Sequence, residues 1–405
     1  MRNQILWGTV AISSFSVTSS AFATLETHLQ IRPRAEFVDD GVLDRNDDGV
    51  DDTDNALAVT TRVALGVKIP STLFVANLST HLEFISVSSQ SRQYNSTSDS
   101  GNFDPSYALV VDPPLTRVSE AYLRYDFNRY TSITAGRKKL SLDDHRFIGN
   151  VDWRQMPQSF GLVELKYEDD HGFVQLDYLY ERLGIKDEFN ASYKKGSLVF
   201  HSLYKAHQAF NISLFHYALQ DLHDTSGAKL TGDLANFHYE LTYAYQGDPS
   251  RADDDSIEVD SEFKEIEFGL KLGIATLKLN YHTLGSALNG SERGFATPFA
   301  TLHKFDGWSD TLLGLAANGT RQGLEVASVG TKVKTRRGTF GLYYLDFNSV
   351  IEDLDYGSEV DFVYTNKIKP NLVWQLKSAY YMKADDSPTD DRTIVWLMLT
   401  SNFTS

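Results

Sequence analysis

The feature that most constrains this chain is an alternation of apolar and polar residues that recurs along most of its length. Between Phe237 and Gln246 the two kinds of side chain alternate, and the apolar ones are mostly aromatic. The same period of two appears at Leu29–Phe37, Val59–Lys68 and Val395–Phe403. Successive side chains of a strand point to opposite faces, so the pattern predicts strands with one apolar and one polar face. The segments are about ten residues long, as in strands that cross an outer membrane.

These strands could belong to a soluble sandwich or to a membrane barrel. The sequence contains no run of eighteen apolar residues, which a membrane-spanning helix would need. Strands can span a membrane instead when they close into a barrel, because closure pairs the backbone groups and removes sheet edges. An apolar face turned outward then needs lipid, and the polar face encloses water or folded loops. The length and the aromatic character of the apolar faces favour the barrel.

The N-terminal segment has the pattern of a secretory signal peptide. Arg2 precedes the moderately apolar stretch Ile5–Val17, and Ala21-Phe22-Ala23 is a small-x-small cleavage site. The stretch is shorter than the ~20 residues of a membrane-spanning helix, which disfavours the alternative of a membrane anchor. We therefore expect residues 1–23 to be a signal peptide and residues 24–405 to form one barrel domain.

The connections between the predicted strands alternate between long and short. Long loops are predicted near Asp39–Asn55, Ser88–Thr116, Lys139–Ser159, Gly247–Asp260 and Gly285–Gln322. Short turns are predicted at Lys68–Leu73, Phe127–Tyr130, Asp169–Gly172, Lys334–Gly338 and Lys367–Asn371. Outer-membrane barrels carry long loops on the extracellular rim and short turns on the periplasmic rim. The segments therefore predict an all-β fold, a transmembrane antiparallel β-barrel of about 18 strands with both termini on the short-turn side.

Composition argues against two classes of function. The chain has no cysteine, so it offers neither a disulfide framework nor a thiolate site. Its formal net charge is −16, whereas nucleic-acid binding needs a basic face. We expect no nucleic-acid partner.

The stretch Leu142–Phe160, LDDHRFIGNVDWRQMPQSF, concentrates charge in one long loop. It contains, in order, Asp143, Asp144, His145, Arg146, Asp152 and Arg154. Carboxylates, a histidine and arginines could act as acid, base and anion-binding groups, but the stretch has no fixed nucleophile and matches no metal signature. Two alternatives stay open: a loop pinned by its own salt bridges, or a loop in the lumen whose Arg146 and Arg154 define a constriction. Arginine clusters set anion selectivity in pores, and a guanidinium binds a carboxylate through two hydrogen bonds.

The polar faces of the strands are predicted to line the lumen with charges of both signs. The predicted pore and constriction residues are Arg32, Arg34, Arg62, Arg124, Arg137, Asp144, Arg146, Asp152, Arg154 and Lys166. Acidic residues on the same faces include Glu36, Glu83, Glu120, Glu164, Asp177, Glu240, Glu265 and Glu267. The alternative for any one of them is a charge pair between neighbouring strands.

The stretch Asp44–Asn55, DRNDDGVDDTDN, has the spacing of an EF-hand-type calcium loop. Its oxygen ligands would be Asp44, Asn46, Asp48, the Val50 carbonyl and Asp52, with Gly49 at the turn position. Position 12 is Asn55 rather than a bidentate glutamate, and no flanking helices are expected. The prediction is a weak Ca²⁺ site in the first extracellular loop, and the alternative is a solvated acidic loop. No cofactor is required for the predicted function.

Several stretches resemble the alginate export family of outer-membrane channels. Residues Thr134–Leu165 contain Gly-Arg, Leu-Asp-x-x-Arg-Phe, Ile-Gly-Asn-Val and Trp-Arg-Gln in the order of that family. Further matches lie at Arg34–Asp40, Thr297–Asp310 and Asp355–Phe362. The resemblance implies an outer-membrane barrel and passage of solutes, a polyuronate for the namesake, without fixing the substrate. Such barrels usually end on an aromatic residue that the barrel assembly machinery recognises, whereas here Thr404 and Ser405 follow Phe403.

We therefore expect a channel in a bacterial outer membrane, surrounded by lipid that includes lipopolysaccharide. Hydrophilic solutes, anionic or saccharide, would cross it passively and without covalent chemistry, so no enzyme activity is expected. One alternative is a general diffusion porin with little selectivity. The others are an outer-membrane barrel enzyme and a structural barrel with a plugged lumen.

Overall fold

A computed structural model describes residues 25–40, 53–70, 75–97, 104–187, 190–253, 257–291 and 293–405. Within them, one sheet contains eighteen antiparallel strands. The strands are β1 (Glu26–Asp39), β2 (Ala56–Ile69), β3 (Leu78–Ser89), β4 (Thr116–Asp126), β5 (Thr131–Lys138), β6 (Ser159–Asp169), β7 (Gly172–Leu183), β8 (Ser197–His207), β9 (Phe210–Leu219), β10 (His223–Leu234), β11 (Phe237–Gly247), β12 (Asp260–Leu272), β13 (Ala275–Leu284), β14 (Leu324–Thr335), β15 (Gly338–Asn348), β16 (Asp355–Lys369), β17 (Leu372–Met382) and β18 (Arg392–Thr404). A 3₁₀ turn, Leu302–Lys304, and a short helix, α1 (Leu313–Asn318), lie between β13 and β14. The described residues include no helix with the length and apolar character needed to cross a membrane.

The first and last strands close the sheet into a barrel. Leu29 of β1 pairs with Leu65 of β2 on one side and with Phe403 of β18 on the other. Each of the other strands pairs with its neighbours in the sequence, so the chain is an antiparallel meander. The predicted number of strands and their antiparallel closure are confirmed, and closure leaves no strand edge open for pairing.

The two faces of each strand have opposite character. On β6, the side chains of Val163, Leu165 and Tyr167 are exposed on the outer wall, whereas Leu162 and Glu164 between them are buried inside. The same alternation along the other strands gives the barrel an apolar outer belt. Exposing such a belt to water would cost free energy, whereas the hydrocarbon of a membrane accommodates it.

Long and short connections lie at opposite ends of the barrel. The long ones span residues 40–55, 90–115, 139–158, 184–196, 248–259 and 285–323, and most of the others are tight turns. The predicted loops Lys139–Ser159 and Gly285–Gln322 agree with the structure to within one or two residues. Two predictions, the signal peptide and the calcium loop with Asp44, Asn46, Asp48, Val50 and Asp52, lie outside the described residues.

Two of the long loops, 139–158 and 285–323, fold into the lumen, and we call them together the lumen plug. They pair with each other where the Gly149 N–H donates to the Phe299 carbonyl over 2.9 Å. A Cβ at position 149 would lie 2.3 Å from the Thr301 hydroxyl oxygen, so this close approach requires glycine. Ile148 and Phe299 are almost fully buried in a cluster that also includes wall residues. Apolar packing therefore fixes the plug inside the barrel.

Candidate functional site

The plug is attached to β1 and β2 by two arginines that face each other. Arg32 and Arg62 are direct cross-strand partners, an arrangement in which like charges repel. The plug compensates them: Arg62 binds the Asp152 carboxylate at 2.6 Å, and Arg32 donates to the Asp152 carbonyl at 2.9 Å and to Gln155 Oε1 at 3.0 Å. Burial alone would raise the pKa of Asp152, but Arg62 and Arg32 outweigh it and lower that pKa.

A second network, formed by Arg34 and Arg154, lies one step further toward the long loops. The Arg34 guanidinium binds Glu36 at 3.0 Å and also contacts Asp112 of the 90–115 loop. Arg154 of the plug binds the same Glu36 at 3.1 Å and contacts Asp310. The ionic groups of these residues are almost fully buried. The network therefore joins the wall, the plug and a third loop through paired charges.

Arg146 attaches the plug to the opposite wall. It binds Glu265 of β12 at 3.0 Å and Asp306 of the plug at 3.3 Å, and its guanidinium lies 3.7 Å from the centre of the Phe305 ring. Arg146 and Arg154 thus lie in the lumen, and both bind carboxylates, so the arrangement shares features with both alternatives. Their proposed role as a constriction stays a prediction.

One group of carboxylates has the spacing of a metal site. Among the described residues, Asp144, Glu240 and Glu265 place carboxylate oxygens within 4.8 Å of one another. Lys229 already lies between them, 3.2 Å from Asp144 and in contact with Glu240, and Arg146 binds Glu265. Lys229 and Arg146 thus join these three carboxylates into an ion-pair network.

Asp143 also has partners that account for its position. Its Oδ1 lies 3.1 Å from His201 Nε2 and accepts a hydrogen bond from the Ser213 hydroxyl at 3.2 Å. The other ring nitrogen of His201 lies 2.8 Å from the Tyr217 hydroxyl. The serine donates to the carboxylate and not to the histidine, so this is not the order of a nucleophile, base and orienting acid.

Two cavities lie on opposite sides of the plug. The upper cavity, on the long-loop side, has a volume of about 390 Å³ and includes Arg154, Arg182 and Arg392 in its lining. The lower cavity, on the short-turn side, has a volume of about 470 Å³ and includes Lys304, Lys332 and Lys377. These volumes are within the range of small-molecule sites. Only two residues, Trp153 and His303, line both cavities.

Trp153 and His303 stack on each other between the cavities, with ring centres 4.8 Å apart and planes 11° from parallel. His303 Nδ1 lies 2.6 Å from Asp310, and its Nε2 is in hydrogen-bond contact with Lys377 Nζ. Burial lowers the pKa of His303 to about 4, with Lys377 acting in the same direction and Asp310 opposing it. At neutral pH the ring is therefore uncharged, so Nδ1–H donates to Asp310 and Nε2 accepts from Lys377.

The Lys377 ammonium is surrounded by aromatic rings. Its Nζ lies 3.6 Å from the centre of the Trp308 ring, 4.2 Å from that of Trp153 and 5.2 Å from that of Trp396. Trp396 is the direct cross-strand partner of Lys377, so the β17–β18 register fixes one wall of this cage. The electron-rich faces of these rings attract an ammonium group.

Four cations that line the cavities make no ion pair with a carboxylate of the described chain: Arg182, Lys304, Lys332 and Lys377. Arg182 donates from Nε to Gln158 Oε1 at 2.6 Å, and Lys304 donates to the Asp144 carbonyl at 2.8 Å. We call this set the cavity cations. The sequence analysis did not include them among the candidate residues, although the alternation along β17 places Lys377 on the face that points into the lumen.

The remaining predicted pore residues lie in the wall. Arg137 binds Glu181 at 3.0 Å near the plug. Arg124 and Lys166 lie toward the short-turn rim, where they bind Asp126 at 2.9 Å and Glu168 at 2.7 Å. The structure therefore gathers Arg32, Arg34, Arg62, Asp144, Arg146, Asp152 and Arg154 around the plug, and leaves Arg124 and Lys166 outside this group.

Comparisons with known proteins identify the fold. OccD3 (OpdP) of Pseudomonas aeruginosa superimposes with a TM-score of 0.69 at 12% identity, over 95% of this chain and 93% of that one. OccAB2 of Acinetobacter baumannii gives 0.68 at 13% identity, over 96% and 100%. P. aeruginosa OpdK with vanillate gives 0.67 at 14% identity, over 95% and 100%.

No family model and no curated protein matches the chain. The resemblance to the alginate export family therefore stays a prediction. The similarity to solved structures covers nearly the whole of each chain, and the outer belt is apolar. The architecture is consequently that of the porin-like barrels of outer membranes.

Proposed function

We propose that this chain is an outer-membrane channel for the passive passage of small hydrophilic anions. The path runs from the upper cavity, past the Trp153–His303 stack, to the lower cavity. Selectivity comes from the charges and the width of the lumen and needs no covalent step.

The observation that carries this proposal is the lining of the lower cavity. It contains Lys304, Lys332 and Lys377 and no carboxylate. Arg34, Arg62, Arg146 and Arg154 around the plug are bound in ion pairs, so we assign the attraction of anions along the path to the cavity cations, which make no ion pair among the described residues. A positive lining attracts anions and raises the cost of passing a cation.

The solved structure of OpdK with vanillate, a carboxylate, supports an organic anion as the solute. The aromatic faces of Trp153 and Trp308 and the hydroxyl groups of Thr301, Thr339 and Thr365 line the lower cavity as well. These groups suit a hydroxylated solute, so a saccharide acid fits the same proposal.

Uptake into proteoliposomes tests the charge preference directly. We would measure the entry of radiolabelled glucuronate, glucose and glucosamine, which have similar sizes and carry a negative, no and a positive charge. We expect glucuronate to enter fastest and glucosamine slowest. Equal rates would support the alternative of a general diffusion porin, and faster entry of glucosamine would contradict the proposal.

A further inference from the structure

The upper cavity has two chemically different sides. Its apolar side consists of Leu109 and Val111 from the 90–115 loop, Ile185 from the 184–196 loop, and Leu302, Leu313 and Ala317 from the plug. Leu109 is more than one third exposed. Such a wall gains free energy only when an apolar group displaces the water that covers it.

The lining also includes the guanidinium of Arg182, which is held in place and makes no ion pair in the described part of the chain. Gln158 donates from Nε2 to the carbonyls of Gly149 and Phe299, at 2.6 and 3.0 Å, and this turns its Oε1 toward Arg182. Arg182 Nε donates to that oxygen at 2.6 Å, and the guanidinium lies 5.2 Å from the centre of the Phe299 ring. These contacts fix the orientation of Arg182.

The terminal nitrogens of Arg182 stay available for a ligand. Neither of them donates to a protein acceptor in the described part of the chain, and Arg182 makes no ion pair there. The neighbouring Asp187 directs its Oδ2 to the backbone N–H groups of Gly184 and Ser192, at 2.7 and 2.8 Å. A preoriented guanidinium with two free N–H-bearing nitrogens matches the geometry of a carboxylate.

We infer that the upper cavity is a binding site for amphipathic organic anions, in which Arg182 receives the anionic group and the apolar side receives a hydrocarbon body. This inference rests on the proposed function, because it places the site on the entrance side of the path. It goes beyond that function by requiring an apolar body of several carbon atoms, which a small hydrophilic anion lacks.

The lower cavity lacks this combination. Its lining is dominated by lysines, hydroxyl groups and the polar-edged rings of Trp153, Trp308 and Tyr343, with Val363 as its one aliphatic residue larger than glycine. The two cavities therefore differ in what they can hold: the lower one suits a hydroxylated anion, and the upper one suits an anion with a hydrocarbon chain.

Equilibrium binding of straight-chain carboxylates tests the site. We would titrate proteoliposomes with acetate, butyrate, hexanoate and octanoate and follow the fluorescence of Trp153, which lines the cavity; the variant Trp153→Phe gives the background from lipid partitioning. We expect affinity to rise roughly two- to fourfold with each methylene, as for partial to full burial of that group. An affinity that does not depend on chain length would overturn the inference.

Two variants separate the two sides of the cavity. Arg182→Gln should weaken all four carboxylates by roughly tenfold or more, as for the loss of a charge-assisted hydrogen bond, and keep the dependence on chain length. Leu109→Asn with Leu313→Asn should clearly reduce that dependence and leave acetate binding nearly unchanged. Matched controls are Arg251→Gln and Ile351→Asn, since neither residue lines the cavity. A chain-length dependence that is unchanged in the double variant would contradict the assignment of the apolar side.

The same barrel in a planar bilayer separates this inference from the proposed function. Anion selectivity without chain-length-dependent binding would overturn the amphipathic site alone. Chain-length-dependent binding in a barrel that prefers cations would overturn the proposed function and leave the binding site.

Discussion

Two groups of cations in the lumen differ in their partners, although a sequence shows both simply as basic residues. The arginines that attach the plug, such as Arg34, Arg62 and Arg154, each bind a carboxylate of the wall or of a loop. The cavity cations, such as Lys332 and Lys377, have none among the described residues. The first group holds loops in place, and we assign the electrostatic attraction of solutes to the second.

The comparison indicates that the contribution of a lumen charge to stability or to selectivity depends on whether it is paired, and not only on how many charges there are. A buried ion pair with one partner removed leaves an uncompensated charge at low dielectric, which is costly. An unpaired cation beside a water-filled cavity contributes little to stability and much to the local potential. The two groups should therefore respond differently to substitution.

The largest expected effect is on stability and belongs to Arg34. Its replacement by Met leaves the buried Asp112 without a cation and Glu36 with Arg154 alone, and we expect a loss of about 3–5 kcal/mol in the free energy of unfolding. Urea unfolding in lipid vesicles, followed by tryptophan fluorescence, measures it. The control is Lys332→Met in the lower cavity, which should change stability by about 0.5 kcal/mol or less. Equal losses in the two variants would contradict the distinction between paired arginines and cavity cations.

The next effect concerns His303, whose Nε2 can accept the hydrogen bond from Lys377 only while the ring is neutral. The pKa of His303, about 4 in the folded barrel, lies below its ordinary value of about 6.5. The unfolded chain therefore binds more protons between these values, and stability should fall as the pH is lowered from about 6.5 to about 4, by up to about 3 kcal/mol. Urea unfolding at pH 7 and pH 4.5 measures the loss, and His303→Gln should remove most of it. A loss of the same size in that variant would show that other groups cause it.

A smaller effect concerns selectivity. Lys304→Gln with Lys332→Gln removes two unpaired charges, and we expect the anion-to-cation permeability ratio to fall several-fold toward one. The control is Arg62→Gln with Asp152→Asn, which removes a neutral pair and should preserve the ratio. Reversal potentials in planar bilayers measure both. If the neutral pair had the larger influence, the assignment of selectivity to the cavity cations would be wrong.

The smallest effect is expected at Arg124. Its pair with Asp126 is close to half exposed, so Arg124→Gln should lower the free energy of unfolding by less than about 1 kcal/mol. The selectivity should stay that of the wild type, because the residue lines neither cavity. Bilayer recording of this variant measures its selectivity, and a clear shift in reversal potential would show that Arg124 does influence the pore.

The residues show what sequence reasoning could and could not predict here. Alternation is a local property, so it correctly predicted the strands, the barrel and the inward direction of Arg34 and Arg62. Partners are not local: Asp112, which binds Arg34, comes from a different loop, and its approach depends on how that loop folds. Arg182 lies near the end of β7, and the contact with Gln158, on which its proposed role rests, depends on how the plug folds.

The most direct test of the central claim is the reversal potential of the wild-type barrel in a planar bilayer with a KCl gradient. If unpaired cations dominate the path, the potential takes the sign of a chloride-selective channel and shrinks as ionic strength rises, because salt screens the cavity charges. A potential of the opposite sign, that of a potassium-selective channel, would contradict the account.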